Sequence, residues 1–84
     1  MWSVYIVECK DGSLYTGITD NLVRRIKQHN CGHGCRFTKY RKPVMLLYSK
    51  ECVTKGEALR CELKIKGFKR DRKLELINSS TASI

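Results

Sequence analysis

The sequence predicts one α+β domain, a small three-stranded, mostly antiparallel sheet flanked by helices, with elements in the order β-β-α-β-α-α. Three observations lead there. The 84 residues are enough for one compact domain and too few for two. Two β-rich runs near the start are separated by turn chemistry. Two later stretches carry helix-start signals ahead of apolar residues at helical spacing.

Residues 2–9 are almost continuously apolar and read as the first strand, and residues 14–18 as the second. Lys10-Asp11-Gly12 between them is hairpin chemistry. Asp20 or Asn21 can cap a helix running to about residue 30. Residues 31–42 read as a loop, with glycines at 32 and 34, cations at 36, 39, 41 and 42, and aromatics at 37 and 40. Pro43 then opens a third strand over 44–49, apolar enough to be buried on both faces. Thr54 and Glu57 match a capping box and predict a helix from 55 to about 68. Asp71 can start a last short helix ending near Ile77, so the domain spans 1–77 and residues 78–84 read as a frayed tail.

The formal charge is +9, with 17 Lys and Arg against 8 Asp and Glu, which on so small a body favours a polyanionic partner. No basic helix with bulky apolar residues opposite is evident, so nucleic acid ranks above a membrane surface. No apolar run approaches the roughly 20 residues that span a bilayer. Residues 1–4 lack the basic region of a signal peptide, and five cysteines without framework spacing point to free thiols. A cytoplasmic protein is expected.

Several polar residues fall on the wrong faces. At about 100° per residue, Arg25 and His29 share the stripe of Leu22 and Ile26, while Arg24, Lys27 and Gln28 point away. Glu62 falls on the inward arc of Ala58, Cys61, Ile65 and Phe68, with Arg60 opposite. An inward guanidinium or carboxylate needs a counter-charge, a metal or an open site. A structural ion pair between Arg25 and Glu62 satisfies the pattern as well as an active site does. Tyr5 and Tyr15 share a sheet face only if the hairpin loop has three residues with Gly12 left-handed, which sets Tyr15 opposite Val7.

Ser3-Val4-Tyr5, followed ten residues after its tyrosine by Tyr15-Thr16-Gly17, resembles the paired triplets of the GIY-YIG nuclease family. The resemblance continues through Asn21-Leu22, Arg25 and His29-Asn30 to the helix segment containing Glu57 and Glu62, from about residue 2 to residue 68. It is closest to the compact stand-alone, YhbQ-like branch. The nuclease modules of structure-selective junction endonucleases are also similar, through His29-Asn30, Thr38 and Arg41-Lys42-Pro43. The chain departs from the family pattern at Ser3 (Gly there) and Thr16 (Ile there), and Lys73-Leu74-Glu75 holds no counterpart of a later asparagine.

The resemblance implies phosphodiester hydrolysis by water with one divalent ion, Mg²⁺ or Mn²⁺, held by Glu62. It implies Tyr5 as base or activator, Tyr15 assisting, Arg25 steadying the phosphate and His29 as a further site residue. Such a transition state spreads negative charge over its oxygens, which a planar cation and a metal stabilise. A free phenol has a pKa near 10, so Tyr5 needs help to act near neutrality. Arg36, Lys39, Arg41 and Lys42, interleaved with Phe37 and Tyr40, are the expected nucleic-acid contacts, with DNA favoured over RNA. One rival reading is a nucleic-acid-binding module of the same fold that cleaves weakly or not at all. Another is a zinc-stabilised interaction domain built on His29, Cys31, His33 and Cys35, whose spacing fits no standard zinc pattern.

Overall fold

The computed structural model describes residues 1–33 and 36–82. They form β1 (Trp2–Glu8), β2 (Leu14–Thr19), α1 (Leu22–Asn30), one helical turn α2 (Arg36–Lys39), β3 (Met45–Cys52), α3 (Lys55–Lys66) and α4 (Arg70–Ala82). The α+β class and the strand and helix order are as expected, with α2 as an added turn inside the segment read as a loop.

The hairpin has the three-residue loop. Cys9 N–H donates to the Ser13 carbonyl at 2.8 Å and Gly12 N–H to the Cys9 carbonyl at 2.9 Å, with Gly12 at φ +85°. That backbone angle favours glycine, and it fixes Val7 opposite Tyr15 and Tyr5 opposite Gly17. Both tyrosines therefore share one sheet face.

The sheet order is β2-β1-β3, with antiparallel pairing on both sides of β1. Central placement explains the unbroken burial of Val4, Tyr5, Ile6 and Val7, since both faces of β1 are covered. The expectation that the third strand is buried on both faces is corrected. β3 is an edge strand, and Met45 and Leu46 are 64% and 39% exposed. An apolar run alone does not distinguish an edge strand from a central one.

On one face, Val4 and Ile6 pack with Ile65 of α3 and Ile77 of α4, surrounded by Leu14, Ile18, Tyr48, Phe68 and Leu74. On the other, Tyr5, Val7, Cys9 and Val44 pack with Tyr15 and with Leu22 and Ile26 of α1. Asn21 caps α1 by accepting from Arg24 N–H at 3.1 Å, and Thr54 caps α3 by accepting from Glu57 N–H at 3.1 Å. α4 runs past Ile77 to Ala82, correcting the helix end expected near Ile77, and positions 83 and 84 of the expected tail lie outside the described residues. Leu74 and buried Ile77 pin the middle of α4 on the apolar cluster, so its following turn has a fixed helix to extend.

Asn30 ties the end of α1 to the start of β3. Its side-chain oxygen accepts from Val44 N–H at 2.6 Å and its amide donates to the Val44 carbonyl at 3.3 Å. One side chain thus satisfies both backbone groups of a buried residue.

Candidate active site

The polar face of the sheet is organised around Gly17. A Cβ there would lie 2.7 Å from the Tyr5 hydroxyl oxygen and 3.1 Å from Cε2 of Tyr15, so the two rings lie close over the glycine backbone. Their centroids are 6.5 Å apart, and His29 lies edge-on to both, at 5.9 Å from Tyr5 and 5.5 Å from Tyr15.

α1 delivers His29 to this spot because position 29 falls on its inward stripe, and the residue is fully buried. Its Nε2 is 2.8 Å from the Tyr5 hydroxyl and its Nδ1 is 2.7 Å from Oγ1 of Thr38. Tyr5 and Thr38 are fully buried as well. Burial, followed by the positive charge of Arg25, holds the imidazole below its ordinary pKa of 6.5 and favours the neutral ring. Arg25 is half-buried and donates from Nη1 to Gln28 Oε1 at 3.2 Å, so Gln28 does not simply point away. Arg24 lies outside, paired at 3.7 Å with Asp20 on the exposed side of α1.

The structure thus brings Tyr5, Tyr15, Arg25 and His29 to one face. Glu62 sits on α3, which covers the opposite face of the sheet through Ile65 and Cys61. Its side chain is 15% exposed, and its carboxylate lies 3.4 Å from the ammonium of Lys66, one turn further along. Thr38 is the residue that sequence reasoning passed over as a site member. A threonine in a cationic loop carries no periodic signal, and only the resemblance to junction-endonuclease modules singled it out.

Arg41 needs a correction of setting. Four cations over residues 36–42 have no acid among them, but the fold supplies one from the hairpin. Arg41 Nε lies 3.1 Å from Asp11 Oδ2, Nη1 donates to the Phe37 carbonyl at 2.7 Å, and the guanidinium stands 4.5 Å over the Phe37 ring. Hydrogen bonds from Ser13, then the Arg41 charge, hold the Asp11 carboxyl below its usual range. Phe37 also leans on Tyr15, with centroids 5.5 Å apart. Arg36, Lys39 and Lys42 are exposed, and Tyr40 is 82% exposed, so Tyr40 is the freer ring for stacking.

Zinc does not suit this arrangement. Both ring nitrogens of His29 are engaged, and no group of three or more His, Cys, Asp or Glu is poised to hold a metal among the described residues. Cys35, the fourth ligand of that reading, lies outside them. No described helix is long and apolar enough to cross a membrane.

Comparison with known proteins defines the class. The model of the GIY-YIG catalytic domain matches residues 1–75, and the chain belongs to the GIY-YIG family. Within that class its relatives include the UPF0213 protein SSP2268 of Staphylococcus saprophyticus, 52% identical over 75 residues, covering 89% of this chain and 92% of the relative. The UPF0213 protein DP2720 of Desulfotalea psychrophila is 49% identical over 80 residues, covering 94% of this chain and 73% of that protein. The solution structure of the UPF0213 protein BH0048 of Bacillus halodurans matches with a TM-score of 0.60 at 43% identity, covering 93% of this chain and 84% of the other. That of protein EF2693 of E. faecalis matches with a TM-score of 0.64 at 30% identity, covering 95% and 85%.

Proposed function

We propose that this chain is an endonuclease that hydrolyses phosphodiester bonds in nucleic acid, DNA in preference to RNA, with one Mg²⁺ or Mn²⁺ ion held by Glu62. The observation that carries the reading is the buried relay Tyr5–His29–Thr38 with Tyr15 and Arg25 beside it. Burying this many polar groups costs stability unless each is bonded, and apolar side chains would fill the space at lower cost.

In the tautomer this function uses, Nδ1–H donates to Thr38 and the Nε2 lone pair faces the Tyr5 hydroxyl. A neutral His29 then draws on the phenol proton, which makes the Tyr5 oxygen a better base toward a water nucleophile. Tyr15 packs against His29 and fixes its plane, and Arg25 holds a non-bridging phosphate oxygen. Glu62 is the carboxylate that would hold a divalent ion, and from α3, which covers the face opposite Tyr5, it would have to do so around the edge of the sheet. Mg²⁺ takes one or two carboxylates and fills its remaining positions with water and substrate oxygens, and Lys66, 49% exposed, can swing aside. When bound, the ion stabilises charge growing on the phosphate oxygens. Arg36, Lys39 and Lys42 grip the backbone by charge, and Arg41 does so from a tethered position. The four described cysteines are free thiols, in keeping with a cytoplasmic setting.

One observation favours the alternative, a weak or inactive binding module. Tyr5 and His29 are fully buried, so substrate reaches them only if neighbouring groups move aside. The 36–42 segment joins those two facts, because it bears the substrate-binding cations and bonds to His29 through Thr38.

The test is a cleavage panel of single-stranded, duplex, flap and junction DNA with Mg²⁺ or Mn²⁺, run beside Glu62→Ala. We expect metal-dependent cleavage that Glu62→Ala abolishes while the variant keeps a cooperative melting transition. Binding without cleavage on every substrate would support the module instead.

A further inference from the structure

We propose that the nucleic-acid track does not end at the 36–42 segment but crosses the tip of the β1–β2 hairpin to the start of α4, where Lys10, Arg70 and Lys73 hold the backbone. This rests on the nucleic-acid reading above and extends it to residues outside the candidate active site.

A second basic stretch, Lys64, Lys66, Lys69, Arg70, Arg72 and Lys73 with Asp71 among them, lies far from residues 36–42 in the chain, but the fold ties both to the same three-residue loop. Lys10 N–H donates to the Arg41 carbonyl at 2.8 Å, and the Arg41 guanidinium pairs with Asp11 at 3.1 Å. From the other side, Arg70 Nη1 donates to the Gly12 carbonyl at 2.9 Å. Ser13, Leu14, Arg70 and Lys73 line a shallow hollow of about 200 Å³ beside the tip. Lys10 and Arg41 beside the hairpin and Arg70 and Lys73 on α4 thus meet at the tip, four cations against two carboxylates, Asp11, which Arg41 engages, and Asp71 in the first turn of α4. The tip is thus a bridge of excess positive charge between two basic segments.

Helical spacing sorts the second stretch. Arg70 and Lys73, three apart, lie on the hairpin side of α4. Arg72 turns the other way, 5.3 Å over the Phe68 ring and 3.5 Å from Glu75, and Lys64 lines that same opposite cleft. A purely structural Arg70 would need only its bond to Gly12. A guanidinium carries five N–H donors, and this exposed one gives Gly12 one of them through Nη1. Phosphate is the ligand that takes several in a fork.

The test is binding to duplex DNA of about three helical turns, with chelator to prevent cleavage, measured across a potassium chloride series. Each phosphate contact contributes about 0.9 to the slope of log affinity against log salt. Arg70→Ala/Lys73→Ala should flatten that slope by about 1.8. Arg70→Lys/Lys73→Arg, which keeps the charge, should retain it, as should Lys64→Ala/Arg72→Ala on the opposite side. An unchanged slope in the first variant, while the unsubstituted protein binds with a clear salt dependence, would overturn this inference alone. So would a flattened slope in the charge-keeping variant, which would make Arg70 a strut for the hairpin, or an equal loss in the Lys64 and Arg72 variant. No salt-dependent binding by the unsubstituted protein would overturn both this inference and the function it rests on.

Discussion

Alternate residues of β1 serve two faces that obey different rules. Val4 and Ile6 meet Ile65 and Ile77, carbon against carbon, and the cost of a change there follows the volume removed. Tyr5, one residue away from each, meets an imidazole, and that imidazole meets a threonine. On this second face a change that conserves volume can still be costly, because it strands a buried donor or acceptor. Both faces are packed, but the candidate relay lies on the second alone, and the tight pleat of a single strand keeps the two apart.

Crossing the faces with one substitution each gives the largest expected effects. Ile6→Ala should lower stability by about 2–5 kcal/mol while cleavage, measured well below the melting temperature, is largely kept. Tyr5→Phe should reduce cleavage by about 10²–10⁴-fold with a smaller stability loss of about 1–3 kcal/mol from the unpaired His29 nitrogen. Urea denaturation and single-turnover cleavage of both variants check this, and parallel losses in both assays would erase the distinction. A smaller effect concerns pH. His29 sits below its ordinary pKa of 6.5 in the folded chain, so between the folded value and 6.5 the unfolded chain binds the extra proton. Its stabilising effect is fully present above about pH 6.5 and is lost as pH falls from there through the folded-state value. Melting temperature should fall over that acid range, and His29→Gln should flatten the fall. The smallest effect sharpens the apolar face. Thr16 pairs in register with Ile6, and its buried hydroxyl has no hydrogen-bond partner among the described residues. It stands where the family triplet has isoleucine. Thr16→Val should raise stability by about 1 kcal/mol and leave cleavage intact, read from denaturation midpoints.

Local rules made much of this legible in the sequence. Gly12 decided between a two-residue and a three-residue loop, and with it whether Tyr5 and Tyr15 share a face. The helical wheel turned Arg25 and His29 inward, and Thr54 marked the start of α3. What escaped depended on partners distant in the chain. Asp11 neutralises Arg41 across 30 residues, and no window around residue 41 contains it. Thr38 reaches His29 only after the loop has folded back over α1. The edge position of β3 is a property of the sheet, since the same apolar run suits either place. The last turn of α4 escaped because Asn78, Ser79 and Ser80 favour caps and turns locally, and the docking of Leu74 and Ile77 overrides them.

The two hydrogen bonds between Asn30 and Val44 have a mechanical consequence. It closes the chain between residues 30 and 44 into a ring clamped at its neck, with α1 and β3 as the two fixed posts. Arg36 and Lys39 lie inside this ring, between the two posts. Thr38 lies inside it too, and its bond to His29 joins the cationic segment directly to the imidazole. The clamp thus fixes both ends of the cationic segment, while a residue between them holds one buried ring.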